Sequence, residues 1–184
     1  MSEVEELLRA YERQVSLPWE KNLSGHEKVW FVVYDPAQER RVRFRLAEFQ
    51  RMTRQTGHGW LEVDLTDRFA TWMASHRYRE AYFESPEDME PALQDFSNTV
   101  VEQIKAALTA TDADEHSVVA VHGLASLFGL TRVSAVLEKV TTEVRGRLLV
   151  FFPGHHDGSN YRLLDARDGW NYLAIPITSK KGTD

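Results

Sequence analysis

Residues 28–36 read KVWFVVYDP. The unbroken apolar run from Val29 to Tyr34 predicts a strand covered on both faces, as in a parallel sheet, and Asp35 and Pro36 end it. GRLLVFFPG at 146–154 is equally apolar, and SVVAVHG at 117–123 is a third, shorter run of the same kind. GWLEVDLTD at 59–67 alternates instead and predicts a further strand ending near Asp64, with Thr66 or Asp67 opening the helix DRFATWMASH.

Helical patterns fill the intervals. Ser2 and Glu5 form a possible capping box, and Val4, Leu7, Leu8, Tyr11 and Val15 share a face, which predicts a short N-terminal docking helix. In ERRVRFRLAEFQRMTRQTG (39–57), RVRFRL alternates like a strand while Val42, Leu46, Phe49 and Met52 keep helical spacing. Its length, the absence of internal Gly or Pro and the terminal Gly57 favour a helix, with Arg40, Arg43, Arg51 and Arg54 along one side. Met89, Leu93, Phe96, Val100, Ile104 and Leu108 describe a long amphipathic helix whose regular part begins close to Pro91. Thr131 can cap a helix facing the core through Val133, Val136, Leu137, Val140 and Val144, stopped by Gly146. YRLLDA and WNYLAIPIT, joined by ARDG, predict a C-terminal β-hairpin at a sheet edge.

Strands alternating with helices imply a three-layer α/β sandwich around a mostly parallel sheet, Rossmann-like or P-loop-like in layout. The phosphate-binding loop of such folds is missing. YDPAQERR follows the first strand without a glycine-rich turn, and no Lys-Ser or Lys-Thr follows Gly123 or Gly129.

At 184 residues and 42% hydrophobic content the chain is expected to form one domain over 1–178, with a polar tail at 179–184. Its 22 Lys and Arg against 28 Asp and Glu give a net charge of −6, which argues against a nucleic-acid binder working through a whole-surface positive field. The chain has no cysteine, which excludes disulfides, thiolate zinc sites and a cysteine nucleophile. The first 15 residues lack an apolar signal region and no run approaches a membrane span of about 20 residues, so a cytoplasmic protein is expected.

In a parallel sheet the loops after the strands collect at the carboxyl edge, where ligands bind. Here that edge is expected to gather Asp35, Asp64, Asp67, His122, Ser126, His155, His156 and Asp157. Carboxylates and imidazoles together could hold a divalent metal or share acid and base roles in hydrolysis. None of these residues stands in an HExxH, GxSxG or HxH spacing. PGHHDGSNY (153–161) carries two adjacent histidines whose side chains diverge, and reads as a polar loop rather than a ligand pair. Surface candidates for a protein contact are the four arginines, Tyr78 and Tyr82 in YREAYF, and Trp170 and Tyr172, the last two equally suited to the core.

The stretches VSLPWEKNL, VWFVVYDPAQERR, GHGWLEVDLTDRFATWM, REAYFESPEDM, GLASLFGLTRV, GRLLVFFPG and NYRLLDARDGWNYLAIPIT resemble the BrxB family, small components of bacterial BREX phage-defence systems. The resemblance implies a place beside a methyltransferase, a large ATPase and the alkaline-phosphatase-like protein PglZ. It implies no catalytic residues, metal or cofactor. It also marks His155 and His156 as a local departure in a variable segment. The expected function is therefore a non-catalytic adaptor that binds PglZ or other BREX components. Two alternatives stay open: a metal-dependent phosphoesterase or nuclease at the sheet edge, and nucleic-acid binding through the arginine face.

Overall fold

The computed structural model describes residues 1–179. Seven strands form one open mixed sheet: β1 (Val29–Tyr34), β2 (Gly59–Asp64), β3 (Ser117–His122), β4 (Arg147–Asp157), β5 (Asn160–Leu163), β6 (Trp170–Asn171) and β7 (Ile175–Ile177). Five of them lie in the order β2-β3-β4-β1-β7, every neighbouring pair parallel. The helices are α1 (Glu3–Ser16), α2 (Glu39–Phe44), α3 (Leu46–Gln55), α4 (Arg68–Ser75), α5 (Arg79–Glu84), α6 (Leu93–Leu108) and α7 (Val133–Val140).

All residues of β1 and β3, and the first eight of β4, are buried, as their continuous apolar runs require. Alternate side chains of β1 serve opposite cores. Trp30, Val32 and Tyr34 meet Leu7 and Tyr11 of α1 and Phe49 of α3, while Val29, Phe31 and Val33 share a core with Phe96 and Ile104 of α6 and Val136 of α7. The result is a three-layer sandwich. The α1 capping box is formed, Ser2 and Glu5 each accepting the other's backbone N–H.

Several local expectations change. The helix expected over 39–57 is two helices, interrupted at Arg45 (φ −101°, ψ 8°), whose N–H is shared between the carbonyls of Arg41 and Val42 in a tightened turn. Thr131 does not cap α7: its hydroxyl donates to Ser97 Oγ at 2.9 Å, and the helix ends at Val140, short of Gly146. Ser179 is buried, and the rest of the expected tail lies outside the described residues.

The largest change is at the C-terminus. PGHHDGSNY is no loop. Beyond its parallel pairing with β1, β4 runs on through His155, His156 and Asp157 and pairs antiparallel with β5, turning at Gly158 and Ser159. Gly158 has φ +56°, which a two-residue hairpin turn needs. The hairpin expected between 161–166 and 170–178 is reduced to two β5–β6 pairs, because β7 leaves it to join β1 in parallel. The driving force is aromatic burial. β5 carries Tyr161 into the core, its ring centre 4.6 Å from that of Phe31, with Trp170 and Tyr172 packed beside Phe31 at 6.0 and 5.6 Å.

Gly154 makes the change of partner possible. A Cβ there would lie 2.1 Å from the Arg162 carbonyl oxygen, a backbone atom that cannot turn aside. Gly154→Ala is expected to unseat β5 and lower stability by about 1–3 kcal/mol, measured by urea unfolding, with loss of near-ultraviolet aromatic dichroism. A variant as stable as the parent would show that β5 yields without cost.

Candidate functional site

The carboxyl edge assembles one charged cluster on the α1–α3 side of the sheet. Glu62 and Asp64 share the face of β2 that carries Trp60 and alternate with Leu61 and Val63, and Asp64 is the register partner of His122 at the end of β3. His122 is buried at 4% exposure. Its Nε2 lies 2.8 Å from Glu62 Oε1 and its Nδ1 3.5 Å from Asp64 Oδ1, so the imidazole sits between two carboxylates. Nδ1 makes no hydrogen bond among the described residues.

Asp64 is the hub. Its Oδ1 accepts the backbone N–H of Thr66 at 2.9 Å and the Thr66 hydroxyl at 2.6 Å, and Arg43 of α2 reaches its Oδ2 at 3.3 Å. Gln103 of α6 donates to the Asp64 carbonyl at 3.3 Å. Burial alone would raise the Asp64 carboxyl; the Thr66 hydrogen bonds and the charges of His122 and Arg43 together hold it below its ordinary value. Gly123 keeps the loop after β3 tight against this turn. It has φ +84°, and a Cβ would meet the Thr66 nitrogen at 2.6 Å and Asp64 Oδ1 at 3.1 Å.

Of the residues expected at this edge, the structure brings together Asp64 and His122. Asp35 is occupied as a cap, its carboxylate accepting the Ala37 N–H at 2.8 Å, and Asp67 stands exposed before α4 without a side-chain cap bond. Ser126 lies in the short 3-10 segment Leu124–Leu127. His155, His156 and Asp157 are carried onto the β4–β5 hairpin, where His156 stacks on Tyr161. Among the described residues no three His, Cys, Asp or Glu side chains are grouped so as to hold a metal ion. The cluster is an electrostatic clasp that ties α2, β2 and β3 together.

The expected interface residues divide. Arg40, Arg51 and Arg54 are exposed, but Arg43 is engaged by Asp64 and the helix carrying the four is broken at Arg45, so no uninterrupted basic face exists. Tyr172 is 6% exposed and donates to or accepts from Thr141 Oγ1 at 2.7 Å, and half-buried Trp170 packs on the same core. Both close the interior. Tyr78 is 50% exposed and Tyr82 is half-buried against His76. Beside them Phe83, which the sequence pattern did not single out, is 67% exposed.

The family model described as BREX protein BrxB matches residues 61–177, from β2 to the last residue of β7. The chain belongs to the BrxB family. Family membership makes it a component of a BREX phage-defence system. VSLPWEKNL and VWFVVYDPAQERR precede the matched region, which includes Asp64, His122, α5 and the C-terminal hairpin but not Arg43. Curated proteins and solved structures give no match. No helix of the described residues is long and apolar enough to cross a membrane.

Because the Asp64 carboxyl is held below its ordinary value of 3.8, its stabilisation is present above that pH and is lost as pH falls through the folded-state value. Asp64→Asn is expected to cost about 0.5–1 kcal/mol at pH 7, a modest figure because the half-exposed carboxylate is screened by solvent. It should also flatten the acid-side decline in melting temperature. An unchanged acid limb would show that the clasp contributes nothing.

Proposed function

We propose that this chain is a non-catalytic adaptor of its BREX system and that it binds a PglZ-like protein through the α5 surface. The observation that carries the reading is the exposure of Tyr78, which precedes α5, and of Phe83 within it, at 50% and 67%. The two exposed rings fall within one short segment, and covering their exposed parts would contribute roughly 1–2 kcal/mol each. Exposed carboxylates flank them: Glu80, Glu84, Glu87, Asp88 and Glu90, none in an ion pair among the described residues. Arg77 lies over the Tyr78 ring at 4.5 Å and Arg79 is held by the Ala74 carbonyl, so the five carboxylates outnumber the cations around the apolar centre, which suits a partner surface that is mainly basic around an apolar pocket.

The carboxyl-edge cluster supports the same reading. Its carboxylates are committed to Thr66, Arg43 and His122, and the one hydroxyl within it, that of Thr66, donates to Asp64. Among the described residues no hydroxyl of this cluster is hydrogen-bonded to His122.

The test is size-exclusion chromatography with light scattering on the chain mixed with the PglZ-like protein of the same system. A heavier co-eluting species is expected, and Tyr78→Ala with Phe83→Ala should weaken the pair by about thirtyfold or more, the mark of a hot spot. Separate elution at micromolar concentrations would overturn the partner, and an undiminished complex with the double variant would overturn the surface.

A further inference from the structure

The opposite end of the sheet holds a second polar arrangement. Arg147 opens β4, a strand otherwise apolar through Phe152, and is only 5% exposed. Its guanidinium donates to the carbonyls of Gly146 at 2.9 Å and Glu20 at 3.2 Å, and its central carbon lies 4.8 Å from the ring centre of Trp19 and 5.8 Å from that of Trp30. Trp19 is in turn stacked on His58, the rings 3.6 Å apart and within 5° of parallel. No carboxylate among the described residues is within ion-pair distance of Arg147. Carbonyls and rings position a cation but do not neutralise it, and a buried, unpaired charge is costly. That burial draws the Arg147 guanidinium below its usual range, with Glu20 only partly opposing it.

The guanidinium forms part of the wall of a cavity of about 490 Å³, within the range of small-molecule sites. Three further cations of that wall, Lys21, Lys28 and Arg145, are also without a carboxylate partner among the described residues. Lys28 Nζ donates to the Val144 carbonyl at 3.4 Å and Arg145 to the Ala113 carbonyl at 3.3 Å. Of the three acids in the wall, Glu20 is exposed and the other two are committed. Asp114 accepts the His116 N–H and the Ser117 hydroxyl, both at 2.9 Å, and Glu115 lies 3.3 Å from the His116 ring. A second hollow of about 340 Å³ shares Trp19, Glu20 and Arg147 and opens toward Leu17 and Leu173.

We propose that the amino-edge cavity binds a small dissolved oxyanion, a phosphate- or carboxylate-bearing molecule, with Arg147 as its buried counter-charge and Lys28 and Arg145 as its rim. The planar guanidinium suits two oxygens of one group, while the flexible lysine follows whatever the group carries. This site is independent of the α5 surface, and neither stands or falls with the other.

The test is isothermal titration of the purified chain with inorganic phosphate, pyrophosphate and citrate, at an ionic strength held constant with chloride. At least one of the three is expected to bind saturably, one per chain, with a dissociation constant of about 1 mM or tighter. Phosphate or pyrophosphate binding with citrate silent would assign a phosphate site; citrate alone would assign a polycarboxylate site. Lys28→Ala with Arg145→Ala, made on the rim so that the buried cage is left alone, should weaken binding about tenfold or more. Arg147→Gln should abolish it. Absence of saturable binding by all three anions, or unchanged affinity in the rim double variant, overturns the proposal.

Discussion

The structure depends on the parallel pairing of β1 with β4, from Val29 opposite Leu148 to Tyr34 opposite Pro153. Both strands are covered on both faces along this register, so neither tolerates a shift of one residue. Such a slip would turn Trp30 and Tyr34 out of the core they share with Tyr11 and Phe49, and would send Phe31 away from Phe96. β3 extends the pairing on one side and β7 on the other, and the helices on each face follow the alternate residues of this pair.

Buried aromatic rings line both faces of the sheet, but different elements supply them. Where α1 and α3 cover the sheet, Tyr11, Trp30, Phe49 and Phe151 interlock edge to face or tilted, and the Tyr11 hydroxyl is satisfied by Thr53. On the opposite face α6 and α7 share the cover with the β5–β6 excursion, which packs Tyr161, Trp170 and Tyr172 around Phe31. The phenol of Tyr161 is pushed up to about 12 by burial and donates to the Ala174 carbonyl. The C-terminal strands thus add to the helical cover of this face.

What could be read from the residues follows what the physics writes locally. Continuous apolar runs mark doubly covered strands, and the Ser2–Glu5 box marks a helix start, because both signals lie within a few residues of each other. The Asp64–His122 meeting was legible from strand ends alone. Glu62 was not, since in GWLEVD it looks like an ordinary solvent-facing position, and only the register with β3 brings His122 to it. Arg43 looked like one of four equivalent arginines until the α2 position placed it beside Asp64. The Gly158–Ser159 turn did carry a hairpin signal, but the polar residues around it made the segment read as a connecting loop between β4 and a later hairpin. Arg147 was hidden within GRLLVFFPG, where a lone cation in an apolar run reads as the strand's wet end.

The short β7 strand decides how the sheet ends. It is three residues long, and its middle residue is Pro176, register partner of Phe31. A proline nitrogen carries no hydrogen, so this flank offers a visiting strand a broken row of donors. The opposite flank, β2, is six residues with no proline. Of these two flanks only β2 presents an unbroken row, and any strand that adds beside it must place uncharged or basic residues opposite Glu62 and Asp64.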